Sequence, residues 1–192
     1  MKLIVVRHGE AGHNLGGDKL HTFAGGLVDT ELTPKGIETA KKIAEQLKIK
    51  NIDIIFSSNL KRSKKTAEII RDQILSGREI IVLPELNELN IGDFAGHTAE
   101  EVKFLFPKSA KYFYDGEIEK WSFPKGEDFF SALARVNLAL EKIESLGQKK
   151  TVLIVAHGMI NRIIFYLLDR KNIDNWRIRE YPHDKIVELE VI

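Results

Sequence analysis

Two short apolar runs set the frame of this chain. Leu3-Ile4-Val5-Val6 and Val152-Leu153-Ile154-Val155-Ala156 are continuous and largely β-branched. Runs of that length, apolar at every position, predict strands buried on both faces of a sheet. Ile52 to Phe56, interrupted by Asp53, and Ile80 to Leu83 predict two more strands. Between the strands the spacing becomes helical. Ile37, Ala40, Ile43, Ala44 and Leu47 recur on one face, after Thr33 as N-cap and Pro34 at the first helical position. Leu60, Ala67, Ile70 and Ile74 predict a second helix entered through Ser57-Ser58-Asn59. Thr98 and Glu101 form a capping box for a short helix ending before Pro107. Phe130, Leu133, Val136, Leu140 and Ile143 predict a long helix over about Asp128 to Leu146, with Gly147 as its stop. A further helix is expected around Ile160 to Leu168. Lys185 to Ile192 alternates apolar and charged residues, as an edge strand does. Strands alternating with helices imply an α/β fold, a three-layer sandwich whose mostly parallel sheet carries helices on both faces.

Two stretches break the periodicity. Ala11 to Thr30 is rich in Gly, Asn, Asp and His, and Pro84 to His97 carries two glycines and several acids, so both read as loops. Pro107 to Gly126 spreads Tyr112, Phe113, Tyr114 and Trp121 along a segment of no clear period, and is expected to form a lid or cap over one sheet edge. A length of 192 residues suits one domain, residues 1–192, with a full-sized core. The net charge of +1 gives no field that would mark a nucleic-acid or membrane-surface binder. Without a cysteine there is no disulfide, thiolate chemistry or zinc-cysteine site, which fits a cytoplasmic protein. The first apolar run carries the first motif and is too short to span a bilayer, so neither a cleaved leader nor an anchor is expected.

The chemistry gathers at strand ends. The first strand runs into Arg7-His8-Gly9-Glu10, and the strand Thr151 to Ala156 runs into His157-Gly158. Loops that follow parallel strands are where α/β folds bind ligands. Two histidines delivered there, one beside an arginine, suggest phosphate chemistry. Phosphoryl transfer needs an in-line nucleophile, cations on the equatorial oxygens and a proton for the leaving oxygen.

Four patches, taken in order, carry a resemblance. They are Arg7-His8-Gly9-Glu10 with Asn14, Ser57-Ser58-Asn59-Leu60-Lys61-Arg62, Leu86-Asn87-Glu88 with Gly92-Asp93-Phe94 and Gly96, and His157-Gly158. Together they resemble the histidine phosphatase superfamily, whose best-known branch is phosphoglycerate mutase. Asp29 to Gly36 and Thr66-Ala67-Glu68 are similar to family segments as well. The resemblance implies that His8 is the nucleophile and forms phosphohistidine. Its attacking nitrogen must be unprotonated, so the other should donate to an acceptor that fixes the tautomer. It implies that Arg7 and Arg62 grip phosphate oxygens, that His157 with Gly158 binds another, and that Asn14 donates to the phosphate. It implies Glu88 as general acid and base. Gly9 is expected among the phosphate-binding residues, letting the backbone pass close to His8. Arg62 in the first turn of a helix opposes the helix dipole, a local cost that points to another purpose. Glu85 and Asp93 read as loop acids, while Glu10 stands near enough to His8 in sequence to line the pocket. His13, His21, His97 and His183 read as loop histidines without metal-ligand spacing, although His13 or His21 could face substrate. No metal and no cofactor are expected.

The chain departs from the family in ways that narrow the activity. Ala11 stands where many members carry Ser or Thr, Thr22-Phe23-Ala24-Gly25 replaces a segment that often begins with Arg, and Leu89 stands where mutases have Arg. The basic insertion that mutases use for substrate carboxylate is missing. What remains resembles the shorter phosphatase branch, which includes α-ribazole phosphatases and broad-specificity phosphatases. The expected activity is hydrolysis of a small phosphorylated metabolite. The alternatives are a phosphoglycerate mutase and a catalytically silent phospholigand-binding protein. The expected partner is a small-molecule phosphate monoester, with no nucleic acid and no membrane, and a homodimer is left open.

Overall fold

The computed structural model describes residues 1–14, 22–74, 79–169 and 182–191. Its centre is a five-stranded sheet in the order β3-β2-β4-β1-β5. The strands are β1 (Lys2–Arg7), β2 (Ile54–Ser57), β3 (Ile80–Val82), β4 (Thr151–Ala156) and β5 (Ile186–Glu190). β1, β2 and β3 run parallel to their neighbours through β4, with Arg7 beside Ala156 and Ser57 beside Val155. β5 closes the edge antiparallel to β1, with Ile186 opposite Val6. The alternation of side chains along β1 divides the core in two. Leu3 and Val5 enter a cluster with Val136, Ile143, Ile160 and Ile164, whereas Ile4 and Val6 enter one with Ile43, Leu47, Ala67 and Ile70.

Six α-helices appear among the described residues: α1 (Pro34–Leu47), α2 (Lys61–Ile74), α3 (Ala99–Leu105), α4 (Pro107–Tyr114), α5 (Phe129–Gly147) and α6 (Gly158–Leu168). Thr33 accepts from the Gly36 N–H at 3.0 Å at the start of α1. Thr98 and Glu101 make the reciprocal box that opens α3. No described helix is long and apolar enough to cross a membrane.

The fold is the expected α/β sandwich, and two details differ. The buried face of α5 runs through Phe129, Ala132, Val136, Ala139 and Ile143, so Phe130 points outward at 65% exposure. Phe129 is the aromatic that packs, edge-on to Tyr166 of α6 at 5.1 Å between ring centroids. The segment expected as a lid holds α4 and then a 3₁₀ turn, Ile118–Lys120, and it contributes Ile118, Trp121 and Phe123 to the core. Only Phe113 of this segment reaches the cavity described below.

Candidate active site

The carboxyl ends of β1, β2 and β4 lie side by side, and each delivers a polar residue to one edge of the sheet. The His8 N–H donates to the Ala156 carbonyl at 2.9 Å, extending the β1–β4 ladder by one rung. His157 follows the last residue of β4 as the N-cap of α6. Their rings lie side by side, tilted by 56°, with centroids 5.0 Å apart. Both are buried, His8 at 2% exposure and His157 at 0%.

Each ring is held by a different nitrogen. His8 Nδ1 lies 2.7 Å from the Gly9 carbonyl oxygen. A carbonyl only accepts, so Nδ1 carries the proton and Nε2 keeps its lone pair. Nε2 in turn accepts from Arg62 Nε–H at 3.3 Å. On the other ring, His157 Nε2 lies 2.7 Å from Ser58 Oγ. Ser58 Oγ already accepts from the Leu60 N–H at 3.3 Å, which leaves its own proton for His157. His157 Nδ1 is buried and has no hydrogen-bond partner among the described residues. An unpaired polar atom in such a place costs free energy that a ligand oxygen would recover.

Arg62 comes from the first turn of α2 and is 1% exposed. Its Nη1 and Nη2 donate to the carbonyls of Val28 at 2.8 Å and Gly25 at 2.9 Å. The loop thus fixes the guanidinium from behind and leaves Nε aimed at His8. Arg7, the last residue of β1, stands over Gly158, where a Cβ would lie 3.5 Å from its Cζ. Glu88 arrives on the loop after β3. Its Oε1 accepts from the Leu89 N–H at 3.0 Å and its Oε2 from the Met159 N–H at 3.3 Å. Asn14 uses its Oδ1 to accept from the Ala11 N–H at 2.9 Å.

Burial and neighbouring cations set the protonation. Burial pushes His8 well below its ordinary 6.5, and His157, Arg7 and Arg62 push it further. His157 is pushed well below 6.5 by burial and then by Arg62 and Arg7. Burial lowers Arg62 from its usual range, while Glu88 and Asp29 oppose that. Both imidazoles are therefore neutral near pH 7, the state a nitrogen nucleophile needs.

A cavity of about 570 Å³ opens over this cluster. Arg7, His8, Asn14, Arg62, Glu88 and Gly158 form its inner end. His13, Thr22, Phe23, Phe113, Arg162 and His183 form part of its outer wall. The structure so brings together seven of the expected residues, with His157 directly behind the wall against His8. Gly9 stands elsewhere. Its N–H donates to Thr66 Oγ1 at 3.0 Å, and an added Cβ would lie 2.4 Å from the Gly36 carbonyl oxygen. What Gly9 permits is the close approach of α1 to the end of β1. Glu10 also turns away, its carboxylate held by Thr33 Oγ1 at 2.9 Å and Lys35 Nζ at 3.1 Å. His21 lies outside the described residues.

Two wall residues were not singled out by the sequence. His183, read as a bland loop histidine, lies edge-on to the His8 ring at 5.2 Å between centroids, with Nδ1 2.5 Å from the His8 carbonyl oxygen. Burial and Arg7 lower its pKa to about 4. The sequence predicts an edge strand there, but only the antiparallel pairing with β1 seen in the structure brings its start beside Arg7 and His8. Arg162 lies one turn into α6 from Gly158, and helical spacing from the His157-Gly158 motif could have found it. Among the described residues, no group of three or more His, Asp or Glu is arranged to hold a metal ion.

Comparison with known proteins identifies the family. Residues 3–191 match the histidine phosphatase superfamily (branch 1). Phosphoserine phosphatase 1 of Hydrogenobacter thermophilus is 32% identical over 168 residues, covering 88% of this chain and 76% of its own. The adenosylcobalamin/α-ribazole phosphatase of Salmonella typhimurium is 30% identical over 185 residues, 93% of this chain and 85% of its own. The crystal structure of an Entamoeba histolytica phosphoserine phosphatase in complex with 3-phosphoglyceric acid superposes with a TM-score of 0.78 at 30% identity, covering 97% of this chain and 89% of that one. Proteins named phosphoglycerate mutase-like are similar too. On a match that runs nearly from end to end, the chain belongs to branch 1 of the histidine phosphatase superfamily and is a phosphatase.

Proposed function

We propose that this phosphatase hydrolyses small phosphate monoesters through a phosphohistidine on His8 Nε2, with Glu88 as general acid and then general base. The observation that carries the reading is the hydrogen bonding of His8. Nδ1–H is fixed on Gly9 O, so the lone pair of Nε2 is the one available for attack, and it already faces the Arg62 guanidinium.

In the first step the Nε2 lone pair forms the N–P bond while the ester P–O bond breaks. The leaving oxygen keeps the electron pair of the broken P–O bond and takes a proton from the Glu88 carboxyl. In the second step Glu88 removes a proton from water, whose oxygen attacks phosphorus, and the N–P electrons return to Nε2. Arg7 and the Nε–H of Arg62 meet the equatorial oxygens. The unpaired Nδ1 of His157, a donor when Ser58 hydrogen-bonds to Nε2, suits another phosphoryl oxygen. Asn14 and the Gly158 N–H at the start of α6 complete the cradle. Five protein groups supply the charge and donors of the transition state, so no metal is required. A chain without cysteine fits a cytoplasmic setting.

The relatives' names divide between phosphatase and mutase. Leu89, at 1% exposure, lies in the core, so the position that carries Arg in mutases supplies no cation to the cavity here. Water then intercepts the phosphoenzyme. The test uses p-nitrophenyl phosphate in EDTA, and 3-phosphoglycerate with and without 2,3-bisphosphoglycerate. Net phosphate release is expected. Efficient isomerisation of 3-phosphoglycerate with negligible phosphate release would replace the hydrolase reading with a mutase.

A further inference from the structure

Glu88 is the one central residue of the site carried by a loop rather than by the end of a strand or the first turn of a helix. Proton donation to a leaving oxygen tolerates little misplacement, so something must hold this loop. Among the described residues its carboxylate accepts from two main-chain N–H groups, one of them its neighbour's. The stronger restraints act on the main chain to either side of it.

They converge on one ion pair. Arg135, on α5, donates Nε to Glu127 Oε1 at 2.7 Å and Nη2 to Glu127 Oε2 at 2.9 Å, a two-pronged contact. Its remaining nitrogen, Nη1, donates to the Glu85 carbonyl at 2.6 Å and the Asn87 carbonyl at 2.9 Å. Glu127 reaches the other side. Its Oε2 accepts from the Asn90 N–H at 2.8 Å, and its own N–H donates to the Asn90 carbonyl at 2.7 Å. The residue just before Glu88 and the residue two after it are thus gripped by the same pair. Neither Arg135 nor Glu127 lines the catalytic cavity. Both line a separate hollow of about 310 Å³, and Glu88 borders the two.

We infer that Arg135 and Glu127 are positioning residues that clamp the 85–90 loop and set the reach of the Glu88 carboxyl toward the leaving oxygen. The inference rests on Glu88 as general acid. Arginine suits the task because one planar fork spans a carboxylate and two carbonyls at once. Lysine keeps the charge but offers a single nitrogen. The Arg135 charge also acts on His157 through space. Arg135→Lys separates the two effects, since it retains that charge and loses the fork.

The experiment measures kcat/KM for 2,4-dinitrophenyl, p-nitrophenyl and phenyl phosphate, a series in which the leaving group needs progressively more help from an acid. Wild type, Glu88→Gln, Arg135→Lys and Glu127→Gln are compared well below their thermal unfolding midpoints. Arg135→Lys is expected to stay within about threefold of wild type on the dinitrophenyl ester and to fall about tenfold or more on the phenyl ester, part of the loss that general acid catalysis can produce. Glu127→Gln should fall in the same direction by less, because its amide oxygen still accepts from the Asn90 N–H. A loss equal across the three esters, or none, in folded Arg135→Lys while Glu88→Gln shows the steep dependence would overturn the clamp alone. An equally flat series for Glu88→Gln would overturn the assignment of Glu88 instead.

Discussion

The inner end and the outer wall of the cavity are built on opposite plans. At the inner end His8, Arg62 and His157 come from strand ends and a first helical turn, are buried, and are each tied by hydrogen bonds: His8 to Gly9 main chain and to Arg62, Arg62 to main-chain carbonyls as well, and His157 to the Ser58 hydroxyl. The outer wall is assembled from separate segments: Thr22 and Phe23 from one loop, Phe113 from α4, Arg162 from α6, and His183 from the turn before β5. One plan fixes atoms for a transition state that every phosphate monoester shares. The other can vary away from it, except at His13 and His183, whose rings lie 5.9 and 5.2 Å from that of His8. Chemistry and substrate choice are therefore separable in this molecule, and the separation can be attacked from both ends.

The largest effect belongs to the nucleophile. His8→Ala should abolish turnover of every ester while the far-ultraviolet circular dichroism spectrum stays that of wild type, since no other imidazole presents a lone pair at that place. Next comes Arg62→Ala, expected to lower kcat on p-nitrophenyl phosphate roughly 10²-fold, the scale for removing a preorganised group that stabilises developing charge. A near-wild-type rate would return Arg62 to a buried structural role. The outer wall should respond differently. Phe113→Ala removes a ring that packs edge-on to Phe23 at 5.5 Å. It should move KM by roughly threefold to tenfold, to different extents for aryl and alkyl phosphates, with kcat little changed. An equal loss of kcat on all esters would erase the distinction between the two regions.

The smallest effect is graded with pH. His8, His157 and His183 are all held below 6.5 in the folded chain, the last to about 4. Between those values the unfolded chain binds protons that the folded chain refuses, so stability rises with pH across the window and falls as pH drops through it. Each such histidine contributes a slope of at most about 1.4 kcal/mol per pH unit. The urea midpoint should fall from pH 6.5 toward 4, less steeply in His183→Asn. A midpoint that held constant or rose over that range would mean the histidines are not buried neutral. The same neutrality predicts that kcat/KM holds from neutral pH into the mildly acidic range.

Much of the inner end was legible because regular elements carry it. The apolar runs Leu3 to Val6 and Val152 to Ala156 locate the strands, and the polar residues directly after them fall at the sheet edge by construction. The outer wall was not legible, because it depends on which loops meet. Nothing local to Pro182-His183-Asp184 says that β5 pairs antiparallel with β1, yet that pairing is what lays His183 against His8. Gly9 was legible as a special position but not for its reason, since the group it must clear is the Gly36 carbonyl of α1. Phe130 and Phe129 differ by one position in the helical period, and only the packing of Tyr166 decides between them.

The central claim is that phosphoryl passes through Nε2 of His8. Wild-type enzyme mixed with p-nitrophenyl phosphate and quenched in alkali within milliseconds, then digested and sequenced by mass spectrometry, should carry an added phosphate on His8. The label should be absent in His8→Ala and should build up in Glu88→Gln, where water lacks its base. Label on His157, or full turnover with no labelled histidine at any quench time, would contradict the account.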